Sequence, residues 1–220
     1  LALAGNPNSG KTTSFNALTG ARQHVGNYPG ITVEQKEGIA HCDGEAIRII
    51  DLPGAYSLTA YTQEERVARR VIGTEKPLAV MALLNAGALE RNLYLAVQLM
   101  EMGVPVSIGL NMMDEARAMG MSIDVKELSR RLGVPVVETV ARTGEGLQEY
   151  LHETLAFSRK FEGKPWRPLS ISYGPDLDPV LKHLTESLDE EGVGCAPYPT
   201  RWLALKLLEN DEEILSELSH

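Results

Sequence analysis

A lysine and a threonine near the start of the chain follow a loop that is bounded by two glycines. The segment GNPNSGKT, residues 5–12, matches the pattern G-x-x-x-x-G-K-[ST]. Glycines at this spacing let backbone N–H groups surround phosphate oxygens, and the positive end of a following helix adds to the attraction. The Lys11 ammonium can reach the β and γ phosphates, and the Thr12 hydroxyl can ligate Mg²⁺. The segment therefore predicts a phosphate-binding loop for a nucleoside triphosphate.

Two more polar motifs, DLPG and NMMD, each follow a strand-like apolar run. In DLPG, Asp51 can hold the same metal through water, and the N–H of Gly54 can meet a γ phosphate. In NMMD, the Asp114 carboxylate can accept hydrogen bonds from the N1–H and N2–H₂ groups of guanine, which adenine does not offer. Asn111 would tie this loop to the phosphate loop and to the base. The alternative for Asp114 is that it caps the start of a helix.

A further threonine, Thr32, lies in NYPGITVE between the first predicted helix and the second strand. Its hydroxyl can reach Mg²⁺ when a γ phosphate is present, which would make residues 22–34 a nucleotide-dependent switch. The alternative is an ordinary loop threonine.

Apolar runs that alternate with helical periodicity must position these motifs. Because helices separate the strands, we predict parallel pairing in a three-layer α/β sandwich of the P-loop NTPase class. Asp43 and Gly44 form a turn signal, which predicts a hairpin that pairs the segment before residue 42 with the strand at 47–51. Strands are predicted at residues 1–4, 47–51, 78–84, 106–111 and 134–140, and helices at 11–18, around 89–100, at 125–133 and at 146–157.

The composition changes at FEGKPWRPLS, which is rich in proline and glycine. We therefore predict a nucleotide-binding domain at residues 1–160, a linker at 161–170 and a small all-helical domain at 171–220. The helix caps predicted for the last domain are Asp178 (with Pro179 at the first helical position), Thr200 and Asp211.

The charge balance and the metal-binding side chains narrow the function further. The net charge of −9, from 30 acidic and 21 basic residues, argues against a nucleic-acid surface. Cys42 and Cys195 are far apart and the five histidines are scattered, so the spacing supports neither a disulfide framework nor a metal site. No apolar run reaches the ~20 residues of a membrane helix. Because the chain begins inside an apolar run, we expect it to be part of a longer protein.

The motifs GNPNSGKT, PGITVE, DLPG and NMMD, in this order, resemble those of translation-factor-class small GTPases. The segments NYPGITVE, DLPGAYSLTAYTQEE and LNAGALERNLYLAVQLMEMGVPV resemble, more narrowly, the cytoplasmic N-terminal domain of the FeoB family of bacterial ferrous-iron transporters. The resemblance covers residues 1–157, and the tail resembles the family's small helical domain more loosely. It implies GTP and GDP binding, GTP hydrolysis, a transmembrane pore domain in the same polypeptide, and a position at the cytoplasmic face of the bacterial inner membrane. The resemblance also leaves self-association open.

The resemblance assigns roles by position. Thr12 and Thr32 would coordinate Mg²⁺ with Asp51 in the outer shell, and Asn8 would help to hold K⁺ beside the phosphates. Asn8, Lys11 and Thr32 form the expected catalytic set. The residues predicted to contact nucleotide are Gly5, Asn6, Pro7, Asn8, Ser9, Gly10, Lys11, Thr12, Thr13, Gly30, Ile31, Thr32, Asp51, Leu52, Pro53, Gly54, Asn111, Met112, Asp114, Val140, Ala141 and Arg142.

Several positions depart from the usual GTPase pattern. Ala55 follows DLPG where Ras-like enzymes have the glutamine that orients water, so slow intrinsic hydrolysis is expected. The sequence identifies no catalytic base, and Glu64 and Glu65 are named only as candidates. Met112 replaces a lysine, and Val-Ala-Arg at 140–142 replaces Ser-Ala-Lys, although the Ala141 N–H could still meet guanine O6. Two alternatives stay open: a stand-alone ribosome- or tRNA-associated GTPase, and a module that senses GTP and GDP with little hydrolysis.

Overall fold

The computed structural model describes residues 1–20, 23–28, 31–162, 164, 166–168, 171–193 and 198–218. The strands are β1 (Ala2–Gly5), β2 (Gln23–Asn27), β3 (Glu34–Cys42), β4 (Glu45–Asp51), β5 (Val80–Asn85), β6 (Val106–Asn111) and β7 (Val136–Glu138). The helices are α1 (Lys11–Thr19), α2 (Gln63–Glu75), α3 (Leu89–Glu101), α4 (Met113–Ala118), α5 (Val125–Leu132), α6 (Leu147–Arg159), α7 (Leu177–Glu190), α8 (Thr200–Leu208) and α9 (Glu212–Leu218). A 3₁₀ turn, Ala86–Ala88, precedes α3.

One mixed sheet carries the predicted motifs. Within the described residues its seven strands are ordered β2-β3-β4-β1-β5-β6-β7. Strands β4, β1, β5, β6 and β7 are parallel, whereas β2 and β3 extend one edge as antiparallel neighbours. The predicted mostly parallel α/β sheet is confirmed. Because parallel strands all end at the same edge, the loops after β1, β4 and β6 come together there.

Helices cover both faces of this sheet. On β5, Val80, Ala82 and Leu84 belong to the hydrophobic cluster that contains α2 and α3. The alternate residues Met81 and Leu83 belong to the cluster that contains α1 and α6. Burial of both faces explains why β5 is a continuous apolar run in the sequence.

The hairpin between β3 and β4 is present as predicted. Asp43 and Gly44 have φ angles of 51° and 81°, and positive φ at both positions of a two-residue turn is typical of type I′. The neighbouring strand β2, by contrast, was not predicted, because residues 22–34 were interpreted as a switch loop. The structure pairs Asn27 of β2 with Glu34 of β3. Val25 is 54% exposed, so this edge strand lacks the buried face that gives a sequence signal.

The three tail helices pack on the α2 and α3 side of the sheet. Trp202 of α8 is 1% exposed and belongs to the same hydrophobic cluster as these two helices. The Arg69 guanidinium of α2 lies 5.5 Å from the Trp202 ring and donates a 2.7 Å hydrogen bond to Asp211. A buried ion pair therefore joins the sheet domain to the tail.

The starts of the tail helices differ in part from the prediction. Asp211 accepts a hydrogen bond from the N–H of Ile214, which confirms it as the cap of α9. The predictions for Asp178 and Thr200 are wrong, because α7 already begins at Leu177 and α8 is preceded by Pro199 as its cap residue. The Asp178 carboxylate instead accepts a 2.7 Å hydrogen bond from the backbone of Tyr173 in the preceding segment. This local hydrogen bond, to a residue five positions earlier in the chain, is where the carboxylate finds its partner.

Candidate nucleotide site

The predicted phosphate loop connects β1 to α1 and depends on both of its bounding glycines. A Cβ atom on Gly5 would lie 2.8 Å from the carbonyl oxygen of Leu83 on β5. Gly10 has φ of 86°, and a Cβ atom there would collide with the side-chain amide of Asn111. Any side chain would therefore push the loop off the sheet, so glycine is required at both positions for steric reasons.

The same loop holds buried polar atoms that have no partner within the described protein. They are both amide atoms of Asn6 and the hydroxyl of Ser9, and the two residues are 2% and 1% exposed. Buried polar groups are normally paired, so each such group calls for an explanation. A loop that contributes polar atoms to a bound ligand supplies one.

The Lys11 ammonium and the Asp51 carboxylate form an ion pair of 2.5 Å. Lys11 begins α1 and Asp51 ends β4, so the pair spans two neighbouring elements of the sheet edge. Burial raises the pKa of Asp51 above its ordinary value, and the nearby Lys11 ammonium opposes that rise. The two residues expected to hold phosphate and metal thus face each other directly.

A cavity of about 280 Å³ surrounds this ion pair. The hydroxyl-bearing residues Thr12 and Thr32 line it with Asp51, which brings all three predicted Mg²⁺ residues to one place. Its other predicted members are Lys11, Leu52, Pro53 and Gly54. It also includes Val33, Glu34, Lys36 and Glu64, which were not predicted to contact nucleotide. Glu34 ends the motif PGITVE but has no predicted role there, and Lys36 lies outside every motif; both reach the cavity because they lie on β3.

The two glutamates considered as catalytic bases have different surroundings. Glu65 is buried, and its carboxylate accepts hydrogen bonds from Ser57 Oγ at 2.8 Å and the Tyr61 backbone at 3.1 Å. It is also the N3 member of the capping box of α2, so its lone pairs are used to hold the preceding loop. Glu64 is exposed and lines the cavity. Ala55 is 5% exposed and donates its N–H to the Gly5 carbonyl at 3.3 Å.

Asn111 links three loops at the sheet edge. Its side-chain Nδ2 donates a 2.8 Å hydrogen bond to the Ser9 carbonyl. Its Oδ1 accepts hydrogen bonds from the Ala141 N–H at 2.8 Å and the Thr139 hydroxyl at 3.4 Å. The predicted link from NMMD to the phosphate loop is therefore present. The Ala141 N–H, which could meet guanine O6, has a protein partner in this structure.

The predicted base-reading carboxylate lies beside the last loop. Met112 has φ of 63° and precedes α4, so Asp114 sits in the first turn of that helix. Its carboxylate accepts a 3.1 Å hydrogen bond from the exposed Arg142 guanidinium. Val140 and Ala141, which directly precede Arg142 in the chain, are buried. NMMD and the 139–143 loop are thus neighbours, although more than twenty residues separate them.

The remaining predicted contacts have mixed outcomes. Asn8 and Pro7 are exposed, and Asn8 adopts φ of 65°. Ile31 lines a separate apolar cavity of about 400 Å³ with Val67 and Val71 of α2, so its side chain is not among those around Lys11. Thr13 is exposed on α1, and Gly30 lies outside the described residues.

The fold and the edge loops together define a class of protein. A glycine-bounded loop between β1 and α1, DLPG after β4 and NMMD after β6 meet at the carboxyl edge of a mostly parallel sheet. This arrangement is that of a P-loop nucleotide-binding domain of the GTPase class.

Family comparisons identify the particular family. A family model described as Ferrous iron transport protein B matches residues 1–154, and one described as the FeoB cytosolic helical domain matches residues 173–220. The chain belongs to the FeoB family. This agrees with the resemblance noted in the sequence.

Relatives with longer chains contain a segment that is similar to this sequence. An Fe(2+) transport protein A/Fe(2+) transporter FeoB fusion protein of Porphyromonas gingivalis is 46% identical over 215 residues, covering 97% of this chain and 25% of that protein. The Fe(2+) transporter FeoB of Salmonella typhimurium is 39% identical over 215 residues, covering 96% of this chain and 27% of that protein. The chain thus spans about a quarter of the length of these two curated relatives. In the part of the chain that the structure describes, no helix has the length and apolar character needed to cross a membrane.

Solved structures share the whole architecture. The cytosolic domain of the T. maritima FeoB iron transporter in its GMPPNP form has a TM-score of 0.89 at 38% identity, covering 99% of this chain and 84% of that chain. An S. thermophilus NFeoB mutant bound to GDP has a TM-score of 0.88 at 39% identity, covering 99% of this chain and 81% of that chain.

Proposed function

We propose that this chain is the GTP-binding and GTP-hydrolysing switch domain of a ferrous-iron transporter. The observation that carries the proposal is the Asn111 bridge, which fixes the base-reading candidate Asp114 against the phosphate loop. A guanine ring and a phosphate chain bound to one protein need these two groups at a defined separation. The transporter assignment is supported by the names of the relatives, which are an Fe(2+) transport protein A/Fe(2+) transporter FeoB fusion protein and an Fe(2+) transporter FeoB.

Nucleotide binding requires the Lys11–Asp51 pair to open. The Lys11 ammonium would turn to the β and γ phosphates, and the Asp51 carboxylate would then face the metal side of the cavity. The Thr12 and Thr32 hydroxyls and the Asp51 carboxylate are hard oxygen donors, which suit Mg²⁺. When bound, Mg²⁺ would neutralise charge on the phosphates.

Hydrolysis is proposed to be slow. The buried Ala55 methyl group can neither orient a water molecule nor accept its proton, and Glu65 is committed to the α2 cap. Asn8 is proposed to contribute its side-chain oxygen to a K⁺ ion, which would offset charge that develops during phosphoryl transfer. Because Asn8 is exposed at the mouth of the loop, its side chain is free to turn towards the phosphates.

The parent protein supplies the proposed setting. We propose that a transmembrane pore domain of the same polypeptide is the partner, at the cytoplasmic face of the bacterial inner membrane. The ribosome- or tRNA-associated alternative is not favoured, because the relatives named above are transporters and the chain is acidic. We propose no nucleic-acid partner. We also propose self-association of the chain, which sedimentation measurements would test.

The guanine assignment is tested with Asp114→Asn, which keeps the side-chain shape but replaces one acceptor by a donor. We expect the preference for GTP over ATP to fall by about tenfold or more, since a charge-assisted hydrogen bond contributes ~1.5–3 kcal/mol. Affinities are measured with fluorescent GTP and ATP analogues. Asp189→Asn, on the tail helix α7, is the matched control. An unchanged GTP/ATP ratio in Asp114→Asn would refute the assignment.

The K⁺ role is tested with two variants at Asn8. Asn8→Ala removes the amide but places alanine at φ of 65°, whereas Asn8→Gly removes the amide and tolerates that backbone. We expect both variants to bind GTP and to lose K⁺ stimulation in single-turnover hydrolysis, compared in K⁺ and Na⁺. Wild-type stimulation in Asn8→Gly contradicts the role of the side chain. Negligible hydrolysis by the unmutated chain in both K⁺ and Na⁺ would favour the alternative of a module that senses GTP and GDP with little hydrolysis.

A further inference from the structure

A thiol, a carboxylate and an imidazole converge where the β3–β4 turn meets α6. Cys42 ends β3, Asp43 is the first turn residue, and His152 lies on α6. Cys42 Sγ lies 3.7 Å from Asp43 Oδ2, and His152 Nδ1 lies 2.8 Å from the same oxygen. All three ligand atoms are within 4.8 Å of one another. The two donors approach one carboxylate oxygen from different elements of the fold.

We propose that Cys42, Asp43 and His152 bind a borderline divalent transition-metal ion, with Zn²⁺ as the preferred ion. Thiolate and imidazole ligands favour such ions, and a carboxylate completes common Zn²⁺ ligand sets. Three protein ligands leave a fourth tetrahedral position for water. The ion would clip the β3–β4 turn to α6.

Two of the three ligand separations are close to those that a tetrahedral ion requires. Zn–S of ~2.3 Å, with Zn–N and Zn–O of ~2.1 Å, implies an S···O separation of about 3.6 Å and N···O of about 3.4 Å. The observed S···O separation of 3.7 Å already agrees with this value. The observed N···O separation of 2.8 Å must open by about 0.6 Å. His152 is exposed on its helix, so a side-chain rotation can supply that movement.

Charge and burial also suit a divalent ion. A Cys42 thiolate and the Asp43 carboxylate together balance two positive charges, with His152 neutral. Cys42 is 7% exposed, while Asp43 and His152 are exposed, so the site has a buried base and an open entrance. It lies at the opposite end of β4 from Asp51, about 20 Å away at ~3.3 Å per strand residue. It is therefore separate from the nucleotide site.

The alternative is an ordinary ion pair between the turn and the helix. Arg159, two turns further along α6, already pairs with Glu45 at 2.6 Å, and Asp43–His152 could be a second such pair. Asp43 is also a favourable residue for its turn position. An ion pair, however, has no use for the Cys42 thiol, whereas a metal site depends on it. This difference makes the two cases separable.

Co²⁺ provides the direct test, because cobalt bound to a thiolate has a near-ultraviolet charge-transfer band. The titration uses the full chain in a Cys195→Ser background, which leaves Cys42 as the remaining cysteine of the sequence. Excess Mg²⁺ occupies sites that prefer oxygen ligands. We expect the band to saturate at one equivalent of Co²⁺ and to disappear on addition of Zn²⁺. Absence of the band overturns the proposal.

Three variants test the ligand set. We expect Cys42→Ser to abolish the band, and Asp43→Asn and His152→Gln each to weaken Co²⁺ affinity at least tenfold. Asparagine tolerates the positive φ of Asp43, so this change preserves the turn. His183→Gln, on α7, is the matched control and should bind Co²⁺ with the affinity of the Cys195→Ser protein. The site is overturned if Asp43→Asn and His152→Gln both bind Co²⁺ with the affinity of the Cys195→Ser protein. This outcome is decisive whether or not the buried Cys42→Ser variant folds.

Discussion

Replacing Asn111 by alanine should reduce both the stability of the protein and its affinity for nucleotide. The Asn111 side chain is the hydrogen-bonded link between the phosphate loop and the loop after β7. Truncation removes its 2.8 Å hydrogen bonds to the Ser9 carbonyl and from the Ala141 N–H. Ser9 and Ala141 are 1% and 5% exposed, so water cannot readily replace the lost partner.

The size of the effect follows from these two groups. A buried polar group that is left unpaired costs about 1–3 kcal/mol. Two such groups, with partial relaxation of the loops, give an expected loss of about 2–4 kcal/mol in the free energy of unfolding. The loosened loops must also be ordered again on binding, so we expect GDP affinity to fall at least about tenfold.

Asn85 offers a matched control for this change. It is the last residue of β5, and it is the register partner of Asn111 on β6. Its Oδ1 accepts one hydrogen bond, from the Gly87 N–H at 2.8 Å, in a partly exposed setting. We therefore expect Asn85→Ala to cost about 1 kcal/mol or less.

Urea unfolding followed by circular dichroism gives the free energies, and titration with a fluorescent GDP analogue gives the affinities. The reasoning is refuted if Asn111→Ala loses no more stability than Asn85→Ala. Wild-type GDP affinity in a folded Asn111→Ala protein would separately refute the proposed link between loop tethering and binding.

Two further predictions concern the junction with the tail helices. Arg69→Met leaves Asp211 buried without its cation and should lower the free energy of unfolding in urea by about 3–5 kcal/mol. Arg70→Met, at an exposed position, is the control and should change stability little. Equal losses in the two variants would contradict the role of the buried ion pair. Glu101→Gln should stabilise the protein at neutral pH. Burial raises the pKa of Glu101, with its hydrogen bond from Tyr173 opposing the rise, so the ionised form is the one penalised in the folded state. The gain should shrink as pH falls through the raised pKa and vanish below the ordinary value of 4.5; a gain independent of pH would exclude this cause.

Much of the fold could be predicted from local patterns. The predicted phosphate loop is recognisable because its motif places Gly5, Gly10 and Lys11 within a few residues of one another. The β3–β4 hairpin is recognisable because Asp43 and Gly44 suit its turn. Strand β2 could not be predicted, because an edge strand with exposed side chains on both faces has no apolar alternation.

Many of the site residues could also be predicted from the sequence, but the contacts that each side chain makes could not. The predicted Mg²⁺ roles of Thr12, Thr32 and Asp51 follow from their motifs, and the structure brings these residues to one cavity. That Glu65 belongs to a helix cap while Glu64 faces the cavity depends on where α2 begins. Adjacent glutamates cannot be distinguished by residue type alone.

The sequence by itself determined the order of the elements and the class of chemistry, because both depend on spacings of a few residues that the backbone geometry enforces. The tertiary structure alone decided which distant residues meet: Asn111 with Ser9 and Ala141, Arg69 with Asp211, and His152 with Asp43. Such pairs are set by strand order and helix packing, which sum many weak apolar contacts over the whole chain. No short stretch of sequence contains that sum.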